Sequence, residues 1–287
     1  MNYIIIMFAY TVGAEEFAAI REQVRHFVRS RVVPREQEIA DTDAIPDDIR
    51  GQAAAMGLFG YAIPAEYGGL GLDITQDVEL AFEFGYTTLA FRSMFGTNNG
   101  IAGQVLVGFG TEEQKRHWLP RIASGEVVAA FALTEPEAGS DPSGLTTKAV
   151  RDGDGWVIDG AKRFITNGPI ARLFMVFARV RPADEAGSGI AVFLVPADTP
   201  GVSVGPKDRK MGQEGAWTAP SAAKLFCTEA AGRVADLAVQ VHGGSGYMRG
   251  VPVERIYRDA RLKRLYEGTS EIQKVIIGRE LLRAART

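Results

Sequence analysis

The hydrophobic period of this chain changes twice, and that double switch limits its folds more than any other feature. From residue 14 to about 127 apolar residues recur three or four apart. Phe17, Ile20, Val24, Phe27 and Val28 mark one helical face with charges between them. From about 128 to 220 the texture is strand-like, with β-rich runs at 174–180 and 190–195 separated by a Pro/Gly/Ser loop. From 221 onward helical spacing returns at Leu225, Ala230, Val234, Leu237 and Val241. Helices, then strands, then helices predict an α+β multidomain chain. Its domains are an N-terminal helical domain over 1–127, a middle β domain over 128–220 and a C-terminal helical domain over 221–287.

Local punctuation supports those blocks. Ile49, Ala53, Met56 and Leu58 give a second helical face that stops at 57–60, and 66–71 (EYGGLG) is a turn-rich loop. One helix is predicted over 75–92 and a small-residue helix over 98–109. Thr111 with Gln114 reads as a capping box, as does Ser270 with Gln273 ahead of a helix to the C-terminus. Residues 145–151 and 156–160 flank Asp-Gly-Asp-Gly at 152–155, a hairpin signal. The pair Gly243-Gly244 is expected to end the helix before it.

Composition narrows the function classes. Net charge is −3 with no basic stripe, so no nucleic-acid footprint is present. The arginines at 255, 258, 261 and 264 alternate with Glu254 and Asp259 and read as a solvated helix face. The single cysteine, Cys227, cannot form a disulfide within the chain, which fits a reducing, cytoplasmic setting. The histidines (His26, His117, His242) lie too far apart for zinc spacing, so no metal is expected. The apolar run at 3–12 is too short to span a bilayer and lacks basic residues ahead of it. It reads as an N-terminal extension, and no membrane partner is expected.

Four segments could carry chemistry. Residues 131–141 (FALTEPEAGSD) run from a strand into a Pro- and Gly-containing loop whose hydroxyls suit a polar ligand or an ordinary surface turn. Residues 164–168 (FITNG) put an aromatic, a hydroxyl and an amide at a strand end, fit to edge a flat ring or simply to turn. Residues 240–246 (QVHGGSG) form a Gly-rich helix exit that could approach a phosphate or serve only as a cap. Neither this segment nor 68–71 is a Rossmann fingerprint, because both the strand context and the spacing are absent. Residues 266–271 (YEGTSE) place Glu267 before a helix N-terminus, where free amides favour an anion; Glu267 could equally be a plain surface charge.

Taken together and in this order, FALTEPEAGSD, RFITNG, QVHGGSGYM, RIYRDARL and YEGTSEIQ resemble the acyl-CoA dehydrogenase family. EYGGLG and TEEQKRHWLPRIASGE extend the likeness over roughly 14–287. The resemblance implies an N-terminal helical domain, a middle β-barrel-like domain and a C-terminal helical bundle, here truncated. It implies FAD as cofactor, an acyl-CoA substrate from fatty acid or branched-chain oxidation, and an electron-transfer flavoprotein as electron acceptor. Phe131, Leu133, Thr134, Gly139 and Ser140 would lie along the flavin and the acyl-CoA, with Ser140 on the substrate side. Phe164, Ile165 and Thr166 would edge the flavin. Gln240, Val241, His242, Gly243 and Gly244 would approach the FAD of a neighbouring subunit, and Thr269 and Glu271 would contact the dinucleotide. Gly268 would lie near the thioester and Glu267 would be the catalytic base. Such a base removes the proton α to the carbonyl as hydride leaves the β carbon, and hydrogen bonds to the thioester oxygen support the charge that develops.

The chain also departs from that family. After 210–220 (KMGQEGAWTAP) the sequence runs straight into SAAKLF, where the resemblance expects a strand, a loop and two long helices. By that comparison roughly 100 residues, a small domain's worth, are absent. The absent part would include the helix lining the acyl chain and the arginine-rich segment that holds a neighbour's pyrophosphate. Loss of the last strand should leave an unpaired sheet edge. Loss of two bundle helices should expose apolar faces, and the family's homotetramer is not expected. Two functions compete: an active dehydrogenase, and an impaired or inactive remnant. A flavin oxygenase of the same fold is disfavoured by the carboxylate at 267.

Overall fold

The computed structural model describes residues 12–181, 189–206, 221–266 and 268–284. The N-terminal run at 3–12 therefore falls almost wholly outside the described residues. The chain divides into two compact units, one up to Ala129 and one from Ala130 on.

In the first unit α1 (Ala14–Phe27) buries Phe17, Val24 and Phe27, as its spacing predicts. It runs on through a π turn that buries Val28 and Val32. A 3-10 turn containing Pro34 follows and leads into α2 (Glu36–Thr42). Next come α3 (Asp47–Ala55), α4 (Ile74–Phe84), α5 (Leu89–Thr97), α6 (Gly103–Phe109) and α7 (Glu112–Ala123). The single helix expected over 75–92 is two, because Thr88 caps α5: its hydroxyl accepts from the Ala90 amide at 3.4 Å. Between α5 and α6 the helix widens into a π turn at Asn98–Ala102. Both asparagines there are fully buried. The Asn98 amide group donates to Ile122 O and Val127 O while its oxygen accepts from Ala129 N. Buried amides satisfied in this way cost little and lock segments far apart in sequence. The Thr111–Gln114 capping box forms as expected.

The second unit opens with β1 (Ala129–Ala132), followed by β2 (Lys148–Asp152), β3 (Gly155–Asp159), β4 (Leu173–Arg181) and β5 (Ile190–Pro196). The predicted hairpin is present: Asp152 pairs with Gly155, and Gly153 takes φ 57° at the turn. Strands β4 and β5 pair antiparallel from Leu173↔Pro196 to Arg179↔Ile190. The five-stranded sheet has the order β1-β4-β2-β3, with β5 also on β4. It is open rather than barrel-like. The parallel β2–β4 overlap extends from Lys148↔Arg179 to Val150↔Arg181, and among the described residues no pairing joins β3 back to β1 or β5 to close a ring. Among the described residues no strand covers the outer edge of β3 or of β5. The stretch 210–216 lies outside the described residues, as does the rest of 207–220.

Three helices complete the unit: α8 (Ser221–His242), α9 (Pro252–Leu262) and α10 (Ser270–Ala284). Helix α8 packs on both of the others. Gly243 takes φ 57° as α8 ends, as expected. Phe226, Val234, Leu237 and Val241 on α8 face solvent, as do Val275 and Ile276 on α10. Among the described residues no helix is long and apolar enough to cross a membrane.

Candidate functional site

The first candidate segment leaves β1 with Phe131, whose ring meets Phe177 edge-on at 4.6 Å between centroids. Leu133 and Thr134 follow, half-buried. The fold brings the second segment to them through the backbone: Arg163 N donates to Thr134 O at 2.9 Å. Lys162 Nζ donates to Leu133 O at 3.1 Å and to Glu135 Oε1 at 2.8 Å. Glu135 is 2% exposed in its side chain. It also accepts from Thr146 N at 2.6 Å, Thr146 Oγ1 at 2.7 Å and Thr147 N at 2.9 Å. Burial works to raise its pKa, but the bonds from Lys162, Thr147 and Thr146 outweigh it and hold the carboxyl well below the usual carboxylate range. Glu135 thus ties β1, the approach to β2 and the 162–166 segment into one rigid corner. Gly139 and Ser140 lie beyond it on exposed backbone.

At that corner Phe164 adopts φ 57° and Asn167 φ 63°. A left-handed phenylalanine is strained and persists only where its surroundings over-determine it. The residue is 63% exposed, with the Arg163 guanidinium 4.9 Å from the ring centroid. Ile165 packs inward against Ala130, Ala171 and Phe174. An exposed aromatic ring beside anchored carbonyls and the Thr166 hydroxyl suits a flat heteroaromatic ligand with polar edges.

The C-terminal candidates fall in two places. Gln240, Val241, His242, Gly243 and Gly244 lie exposed at the exit of α8, and His242 Nδ1 turns back to Ala238 O at 2.9 Å. Gly268, Thr269 and Glu271 lie at the start of α10, while Glu267 is outside the described residues. The cap of α10 differs from expectation. Thr269 takes the cap position, its Oγ1 accepting from Ile272 N at 3.4 Å. The Ser270 hydroxyl instead donates to Glu229 Oε1 at 2.6 Å, because a half-buried carboxylate on α8 outcompetes a local cap. Glu271 has a lowered pKa, owing to its own backbone amide and the Thr269 hydroxyl at the helix start. Arg264, expected to be solvated, pairs with Glu229 at 2.8 Å, and Arg258 pairs with Glu254 at 2.8 Å.

Sequence reasoning missed Glu135, Lys162, Lys224 and Glu229. Each pairs across tens of residues, and no periodicity or spacing announces such partners. Among the described residues no cluster could hold a metal ion.

Residues 14–126 match the N-terminal domain of acyl-CoA dehydrogenases, 130–224 their middle domain and 209–282 their C-terminal domain. An acyl-CoA dehydrogenase of Bacillus subtilis (strain 168) is 28% identical over 373 aligned positions, covering 93% of this chain and 98% of the relative. An acyl-CoA dehydrogenase from Geobacillus kaustophilus has a crystal structure that matches with a TM-score of 0.83 at 27% identity, over 93% of this chain and 98% of that one. A structure of acyl-CoA dehydrogenase complexed with FAD, from Bacillus anthracis, matches at 0.84 and 25% identity, over 96% of this chain and 67% of that one. An alignment of 373 positions on a chain of 287 residues leaves a block of the relative with no counterpart here. The middle and C-terminal matches overlap on 209–224, where the sequence runs abruptly from one texture to the other.

Proposed function

This chain belongs to the acyl-CoA dehydrogenase family of oxidoreductases, and from that premise we propose that it oxidises the Cα–Cβ bond of an acyl-CoA thioester with FAD, giving the 2-enoyl-CoA. Electrons would pass to an electron-transfer flavoprotein. The observation that carries the reading is the rigid corner at Thr134–Arg163, from which the strained Phe164 ring projects. The donor set fits a flavin: an aromatic ring, the Thr134 and Thr166 hydroxyls and anchored backbone.

FAD, when bound, supplies the two-electron acceptor for hydride leaving the β carbon. The chain's own residues do the rest. Phe131, Leu133, Thr134, Phe164, Ile165 and Thr166 bind and orient the ring system. Ser140 and Gly139 border the thioester ligand. Glu267 holds the proton removed from the α carbon, and the backbone at Gly268 stands near the thioester. Thr269 and Glu271 meet the dinucleotide, and Gln240, Val241, His242, Gly243 and Gly244 reach the FAD of a second copy.

The test is spectroscopic. The purified chain should carry a flavin spectrum that bleaches on anaerobic addition of an acyl-CoA. Glu267→Gln should keep the spectrum and lose the bleaching. Bleaching of the variant at the parent rate removes Glu267 from the mechanism. A second reading, an impaired or inactive remnant, is favoured by the exposed apolar face of α8 and by the missing block; a colourless protein with no affinity for FAD in equilibrium dialysis would establish it.

A further inference from the structure

Helix α8 is built inside out. Its apolar residues Phe226, Val234, Leu237 and Val241 are exposed, while a lysine, Lys224, is 3% exposed. A buried ammonium persists only where partners replace its water. The Lys224 Nζ donates to Gly268 O at 2.7 Å. That carbonyl also accepts from Gln273 Nε2 at 3.3 Å. Gly268 sits at φ 85°, a backbone that strains any side chain, and a Cβ there would press within 2.6 Å of Gln273 Nε2.

Further along α8, Glu229 reaches both ends of the same segment. One oxygen, Oε1, accepts from Arg264 Nε at 2.8 Å and from Ser270 Oγ at 2.6 Å. Those two residues are joined directly as well, Ser270 N donating to Arg264 O at 3.2 Å. Arg264 and Ser270 are therefore joined by a backbone bond and a shared carboxylate, and Gly268, between them in sequence, is held by Lys224. The Ser270 hydroxyl and the Arg264 guanidinium keep the Glu229 carboxyl below its usual range against the effect of burial. Glu229 is thus ionised and able to hold both partners across neutral pH.

We propose that Lys224 and Glu229 are positioning residues for the reaction: from α8 they hold Arg264, Gly268 and Ser270 and thereby fix the backbone on either side of the base. This rests on the assignment of Glu267 as that base. Neither residue touches the reacting atoms. The chemistry is sensitive to such a clamp because a misplacement of about 1 Å can cost a factor of about a hundred in rate.

The test compares Lys224→Met, Glu229→Ala and the conservative Lys224→Arg in the full chain. Deuterium exchange of the 265–272 amides should rise about tenfold or more in the first two variants, while α9 amides keep their parent rates. The rate of flavin bleaching at saturating acyl-CoA should fall about ten- to hundredfold with little change in KM. Lys224→Arg should restore part of both. Unchanged exchange in the loop, or a rise spread evenly over α8, α9 and α10, overturns the proposal, whether or not the chain holds flavin. Loosened exchange with an unaltered bleaching rate overturns the positioning role. Parent-rate bleaching by Glu267→Gln sinks the base assignment instead, and that result is read independently of the exchange data.

Discussion

The N-terminal helices of this chain bury many large aromatic side chains, and the C-terminal helices bury none among the described residues. In the first set Phe27, Phe84, Phe91 and Phe95 are buried, joined by Phe59 and Tyr61 from the turns after α3. Their rings meet mostly edge-on, Phe84 and Phe95 at 5.1 Å and Phe91 and Phe95 at 5.3 Å. In the last set α8 buries Lys224 and Ala235, α9 Val253, Asp259 and Ala260, and α10 Ser270 and Gln273. Large apolar residues there look outward. Both sets follow the same rules of helix formation, so helix propensity does not explain the contrast. Helices that leave large apolar residues in solvent are helices whose apolar face has no partner among the described residues. The relatives carry a block of sequence that this chain lacks, and the contrast is what its absence should look like.

The comparison can be broken most sharply at the N-terminal core. Phe95→Ala should destabilise the chain by about 3–5 kcal/mol, read as a lowered midpoint in chemical unfolding. A loss under about 1 kcal/mol would mean that the aromatic cluster is not the stabilising core. Lys162→Met, beside the sheet, should cost about 3–5 kcal/mol by leaving the buried Glu135 charge without its countercation, held only by the Thr146 and Thr147 hydrogen bonds. The folded-state pKa of Glu135 is depressed, so its contribution is complete above the ordinary glutamate value of 4.5 and lost as pH falls below it. Acid unfolding of the parent should therefore steepen below that value, and Lys162→Met should flatten the dependence. An unchanged acid limb in the variant would refute the linkage.

Asn98→Leu comes next, at about 1–3 kcal/mol, because it orphans the Ile122 and Val127 carbonyls and the Ala129 amide together. Retained stability would show that the π turn relaxes to satisfy them. The smallest effect sharpens the other side of the comparison. Leu237 is 63% exposed, so Leu237→Lys should change stability by no more than about 0.5 kcal/mol. It should also reduce association: the parent is expected to run as aggregates or mixed oligomers in light scattering coupled to size exclusion, and the variant as smaller species. A single sharp tetramer of the parent, dissociated by the lysine, would show that the α8 face has a partner after all.

Where the chain's own neighbours along the sequence decide the outcome, the sequence alone determined it. The Asp152–Gly155 hairpin, the Thr111–Gln114 box, the stop after His242 and the order helices–strands–helices each depend on signals a few residues long. The ordered motifs that mark the family are of the same kind. The tertiary structure alone decided the rest. Thr88, capping α5 at Ala90 N, splits a helix that reads as one, and Glu229 takes Ser270 away from its local cap. Glu135 finds Lys162 at a separation of 27 residues, and Lys224 finds Gly268 at 44. On α8 the outward Val234, Leu237 and Val241 agree with the exposure expected from the missing helices, whereas the burial of Lys224 is announced by no window of sequence. Periodicity reports which residues share a face, but which face is covered depends on what else the chain brings to it, and that is a property of the whole path rather than of any window along it.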